Sequence, residues 1–70
     1  MYRAIAYFAG RAAVEDGARL AGPSMMHAAQ AESLLDALLV LPGFTGGHIE
    51  QHIDGIGWTI DADVSAGYLD

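Results

Sequence analysis

The sequence predicts a two-layer α+β domain, roughly ββαββ, with one helix packed on an antiparallel sheet. Three observations carry this expectation. Alternating apolar and polar segments lie at both ends of the chain, a single run of helical spacing lies between them, and Gly- or Pro-containing punctuation separates the segments. With 70 residues the chain forms a single domain, 1–70, and buries only about 60% of its unfolded surface, so its stability margin is thin.

The first alternating segment is YRAIAYFA, residues 2–9. Tyr2, Ala4, Ala6 and Phe8 fall on one side of a strand and Arg3, Ile5 and Tyr7 on the other. Neither side is cleanly polar, so the strand is either central and covered twice or covered on its second face by a partner. Asp16-Gly17 is a turn dipeptide, and a weaker strand is expected near 12–15, near 18–21, or as both arms of a short hairpin. Gly22-Pro23 then breaks the chain, and Ser24 is the expected N-cap.

From about residue 25 to 41 the spacing is helical, with Ala28, Ala31, Leu34, Leu35, Leu38 and Leu41 on one stripe. Glu32 and Asp36 share the opposite side. The run LLDALLVL (34–41) has one polar member, which calls for cover from more than one direction, by sheet plus loop or by another subunit. Pro42-Gly43 ends the helix.

Two alternating segments follow. In HIEQHID (48–54), Ile49 and Ile53 point one way and His48, Glu50, His52 and Asp54 the other. In WTIDADV (58–64), Trp58, Ile60, Ala62 and Val64 form the apolar side, and Thr59, Asp61 and Asp63 face away. With DGIG between them, the pair reads as a β-hairpin with one apolar and one acidic face. Residues 47–56 also fit a short helix, since Ile49, Ile53 and Ile56 keep i, i+4, i+7 spacing. The Gly-rich flanks and the clean second alternation favour the hairpin. The tail SAGYLD is expected to be loosely held.

Charge narrows the function classes. Nine acids oppose three arginines, with no lysine, and from Leu20 onward there is no basic residue except histidine. Such a surface repels phosphate backbones and anionic lipid, which argues against direct nucleic-acid or membrane binding and favours a basic protein partner. The absence of cysteine excludes disulfides, Cys-ligated zinc and thiol nucleophiles, and favours an intracellular setting. No apolar run approaches the roughly 20 residues that span a bilayer.

His48 and His52 would share a face in either a strand or a helix, but HIEQH is not H-E-x-x-H. Alternate strand positions lie about 6.6–6.8 Å apart, too far to share an ion without a third ligand, and nothing in the sequence brings His27 near. The row therefore reads as a solvated polar face, with no metal and no cofactor. Ser24, Ser33 and Ser65 lie in no nucleophile context, and no phosphate loop is present. A chain this small has little room for a water-excluding pocket, so an enzyme is not expected. What remains is an interaction surface. Glu50, Asp54, Asp61 and Asp63 on one hairpin face are the expected partner-binding residues, with Glu32 and Asp36 from the helix beside them.

The stretch AESLLDALLVLPGFTGGHIEQHI (31–53) resembles a segment of the small phage-encoded anti-CRISPR proteins that inhibit type I-F surveillance complexes. Glu32-Ser33-Leu34 at the helix start, Leu41-Pro42-Gly43 at its end, and Gly47 with Ile49-Glu50 beyond it carry the resemblance. The match covers about a third of the chain and no catalytic signature. It departs from that family where the Ile-Glu segment is helical there and alternates here. The resemblance implies a non-enzymatic inhibitor in the cytoplasm of a bacterial host. It would occupy a basic groove of a Cascade-like ribonucleoprotein complex and block target-DNA binding. The alternative is a small structural or regulatory module that forms homodimers, motivated by the two-sided strand and the overfilled helix.

Overall fold

The structure is a computed structural model and describes residues 1–8 and 19–68. Six elements follow in chain order: β1 (Tyr2–Phe8), β2 (Arg19–Ala21), α1 (Ala28–Val40), β3 (Phe44–Ile53), β4 (Gly57–Ile60) and α2 (Ala62–Ser65). The strands form one antiparallel sheet in the order β2-β1-β3-β4. This is the expected two-layer α+β arrangement with one addition, the short helix α2. Residues 12–15 and the Asp16-Gly17 turn lie outside the described residues, and β2 occupies the position expected near 18–21.

The small residues of the sheet set the layer spacing. On the covered face Ala4 and Ala6 of β1 lie beside Gly47 and Ile49 of β3, because Ala6 pairs with Gly47 and Ala4 with Ile49. Short side chains there let α1 approach closely, so Ala31 and Leu35 are fully buried against the sheet. Tyr2, Met25, Leu34, Leu38, Leu39, Val64 and Tyr68 close the margins of this core.

The helix is shorter than its periodicity predicts. It is capped at His27, not Ser24, and Gln30 Oε1 accepts from the His27 amide at 3.2 Å. Residues 22–25 remain extended because they still pair with β1. The Gly22 amide donates to the Ala4 carbonyl at 2.8 Å, and Tyr2 and Met25 exchange two backbone bonds of 2.7 Å. Helix geometry starts only after that ladder is complete. At the other end, Val40 is 83% exposed and Leu41 is half exposed, so the cover expected for 34–41 stops short of its last turn.

The hairpin corrects the expected division of faces. Asp54-Gly55-Ile56 connects Ile53 to its partner Gly57, with Gly55 and Gly57 at φ +82° and +101°, values that side-chain-bearing residues rarely adopt. This register pairs His52 with Trp58 and Glu50 with Ile60. Directly paired residues share a face, so Trp58 and Ile60 stand with the histidine row and not with Ile49. The strand then ends at Ile60, because Asp61 caps α2 by accepting from the Val64 amide at 3.2 Å.

Residues 65–68 of the tail are docked, against expectation, and residues 69–70 lie outside the described residues. Ser65 is buried, and its hydroxyl accepts from the Ile49 amide at 2.8 Å and donates to the Ile49 carbonyl at 3.0 Å. The Tyr68 hydroxyl donates to Asp36 at 2.6 Å and ties α2 to α1.

Candidate functional site

Two surfaces of opposite character result. The outer face of the sheet, on which no described helix packs, takes Arg3, Ile5 and Tyr7 from β1, Arg19 from β2, His48, Glu50 and His52 from β3, and Trp58 and Ile60 from β4. Strand alternation puts them there, and the β1–β3 register places Arg3 opposite Glu50 and Ile5 opposite His48.

The polar and aromatic side chains among them form one continuous row. The Tyr7 hydroxyl bonds to His48 Nδ1, His48 Nε2 meets Glu50 Oε2 at 2.9 Å, and Arg3 Nε donates to Glu50 Oε1 at 2.7 Å. A carboxylate only accepts, so His48 Nε2 is the donor in its bond to Glu50. The Arg3 guanidinium also lies 4.4 Å from the Trp58 ring centroid, and His52 meets the same ring edge-on at 5.2 Å. His48, expected in solvent, is 1% exposed with both ring nitrogens engaged.

Burial raises the Glu50 carboxyl pKa, but the hydrogen bonds from His48 and Arg3, with their charges, outweigh it and hold the group below its ordinary 4.5. A carboxyl depressed in the folded state contributes stability above the unfolded value, and this is lost as pH falls through the folded one. The melting temperature is therefore expected to drop as pH is lowered below 4.5, with a shallower acid limb for Glu50→Gln. Melts followed by circular dichroism between about pH 5 and pH 3 measure this, and an identical slope for the two proteins would refute it.

The second surface is the helical layer. Glu32 and Asp36 lie on α1, Asp61 caps α2 and Asp63 lies in its first turn. Burial, the bond to Asp36 and the charges of Asp36 and Glu32 push the Tyr68 phenol up to about 12. Asp54 sits at the tip of the β3–β4 turn, fully exposed, with His52 Nδ1 at 3.9 Å.

The six expected partner-binding residues are therefore not one surface. Glu50 belongs to the sheet row and is neutralised by Arg3 and His48. Asp61 and Asp63 leave the hairpin for α2 and join Glu32 and Asp36 on the helical side, and Asp54 stands between the two surfaces. Sequence reasoning missed the link between Tyr7, His48 and Arg3. The available signal was an aromatic and a cation on the odd face of β1, the side chains a buried polar row requires once β1 and β3 are neighbours.

Among the described residues no group of three or more His, Asp or Glu is placed to hold a metal ion, and no helix is long and apolar enough to cross a membrane. No protein-family model, curated protein or solved structure matches the chain.

Proposed function

We propose that this protein is a non-enzymatic interaction module that docks its acidic side against a basic protein or ribonucleoprotein surface in the bacterial cytoplasm. The supporting observation is the separation of charge. Among the described residues, Glu32, Asp36, Asp61 and Asp63 have no arginine or lysine partner, while Arg3 and Arg19 both stand on the opposite face. Interspersed arginine or lysine would relieve the repulsion among these carboxylates, and the chain has neither after Arg19. A surface of one sign steers association with a complementary groove and rejects like-charged competitors. The resemblance of residues 31–53 to anti-CRISPR proteins names one such groove, the DNA-binding channel of a type I surveillance complex.

The test measures target-DNA binding by a purified, crRNA-loaded type I-F complex with and without the protein, by gel shift at two salt concentrations. Glu32, Asp54 and Asp63 are reversed to lysine together, because Asp36 and Asp61 hold structural hydrogen bonds. Inhibition by the native protein is expected to fall at least about tenfold in the triple variant and to weaken with salt. Undiminished inhibition by the variant would remove the acidic side from the reading.

A homodimeric module is the second reading, favoured by the exposed apolar pair Val40 and Leu41 at the end of α1. A strictly monomeric mass by light scattering at high concentration would exclude it.

A further inference from the structure

We propose that β4 is a docking edge, on which an extended peptide with apolar residues at alternate positions and basic flanks adds as a further strand. This rests on the reading of the protein as an acidic partner of a basic surface, and it names the mode of contact.

The backbone supplies the first argument. The His52 amide donates to the Met1 carbonyl at 2.9 Å, so His52 directs its backbone groups toward β1. Its partner Trp58 then directs its own amide and carbonyl away from β3, and Ile60, two residues on, does the same. The inward bonds belong to the alternate residues, as the Asp61 amide donating to Ile49 at 3.0 Å confirms. Among the described residues no strand lies beyond β4, so Trp58 and Ile60 present two donors and two acceptors in strand register.

The second argument is the absence of protection. Edge strands are usually blunted by lysine, proline, a bulge or a covering segment. Gly57-Trp58-Thr59-Ile60 has no charged residue and no proline, and it ends in a half-exposed isoleucine. The opposite edge, β2, has three residues and carries Arg19. Ile56 at the turn is 71% exposed, which extends the apolar margin alongside β4.

Charge selects the occupant. Asp54 precedes this uncharged strand, and Asp61 and Asp63 follow it, so both of its ends are negative. A second copy pairing antiparallel through β4 would bring Asp54 of one chain toward Asp61 and Asp63 of the other. An extended segment with arginine or lysine on either side of an apolar centre meets opposite charge at both ends. Its alternate side chains would lie beside Trp58 and Ile60, and main-chain bonds would supply affinity.

Trp58 is the only tryptophan and reports on this edge directly. Two synthetic peptides about ten residues long share an alternating Val-Thr centre, one flanked by Arg pairs and the other by Glu pairs. The Arg-flanked peptide is expected to change Trp58 emission saturably and the Glu-flanked one is not. Ile60→Pro removes an outward amide while sparing the β3 ladder, and is expected to weaken binding at least about tenfold. N-methylating the Arg-flanked peptide at the residues that face β4 is expected to do the same without altering the protein.

Failure of the Arg-flanked peptide to bind at about 1 mM overturns the proposal, as does tight binding of the N-methylated form. If that peptide binds undiminished to Ile60→Pro, the edge fails while the acidic reading stands. Equal binding of both peptides defeats the charge argument and the acidic reading with it. A dimer abolished by Ile60→Pro would assign the edge to a second copy.

Discussion

Replacing Gly47 with alanine is expected to abolish cooperative folding of this domain. Gly47 is paired with Ala6 at the centre of the sheet and lies under α1. An added Cβ would fall inside van der Waals contact of the Ile5 carbonyl oxygen and 2.7 Å from Leu35 Cδ1, with Ala6 Cα at 3.3 Å. The leucine methyl could rotate away, but the carbonyl and Cα belong to the neighbouring strand. Relief requires the β1–β3 pairing to open. Overpacking that side chains absorb costs about 1–3 kcal/mol, and a clash with backbone exceeds that range. A domain of this size has about 4–10 kcal/mol in total. Urea unfolding followed by far-ultraviolet circular dichroism should show no native baseline for Gly47→Ala. A midpoint within error of the native protein would contradict the close approach.

Leu35→Ala is expected to be the most damaging truncation in the helix. Leu35 is fully buried between α1 and the strands β1 and β3. Its neighbours Ala4, Ala6 and Ala31 are too small to fill the vacated volume. Lost transfer energy and the residual cavity together cost about 3–4 kcal/mol, a large share of the whole. Val40→Ala in the same helix removes a largely exposed side chain and should change stability by less than about 0.5 kcal/mol. Denaturant midpoints of the two variants provide the comparison, and equal losses would mean that the helix is not seated on Leu35.

The elements with strong periodicity were legible in the sequence. The leucine spacing of α1 reflects a single burial surface, and the alternation of β1 and β3 marks them as strands although both are buried on two faces, at Ala4-Ile5-Ala6 and Gly47-His48-Ile49. What failed was governed by choices a period does not encode. Trp-Thr-Ile-Asp-Ala-Asp-Val alternates throughout, yet Asp61 takes a cap geometry that competes with continued strand, and α2 begins. The face reversal of Trp58 came from the turn. A connection of three residues sets the parity of the register, and a shift of one residue moves every side chain to the other face.

The candidate site was legible in composition but not in geometry. The acids after Leu20 were visible as a lysine-free, arginine-free stretch, and their charge is real. Their placement depended on α2, so Asp61 and Asp63 moved from the sheet to the helices. Glu50 was misread because its partners, Arg3 and Tyr7 with its bridge to His48, lie more than 40 residues away in sequence.

Ser65 completes the hydrogen bonding of the sheet from outside it. The central strand β3 does not satisfy Ile49 from its neighbours alone, since the hydroxyl of Ser65 takes the Ile49 amide. Tyr2, near the beginning of the chain, meanwhile waits for Gln51 to be made. β1 therefore stays without its β3 partner until a segment more than 40 residues downstream is in place, and the Ile49 amide waits for Ser65, 16 residues further on. Such long closures make folding slow for so small a domain. They also leave the middle of β3 dependent on one serine hydroxyl from outside the sheet.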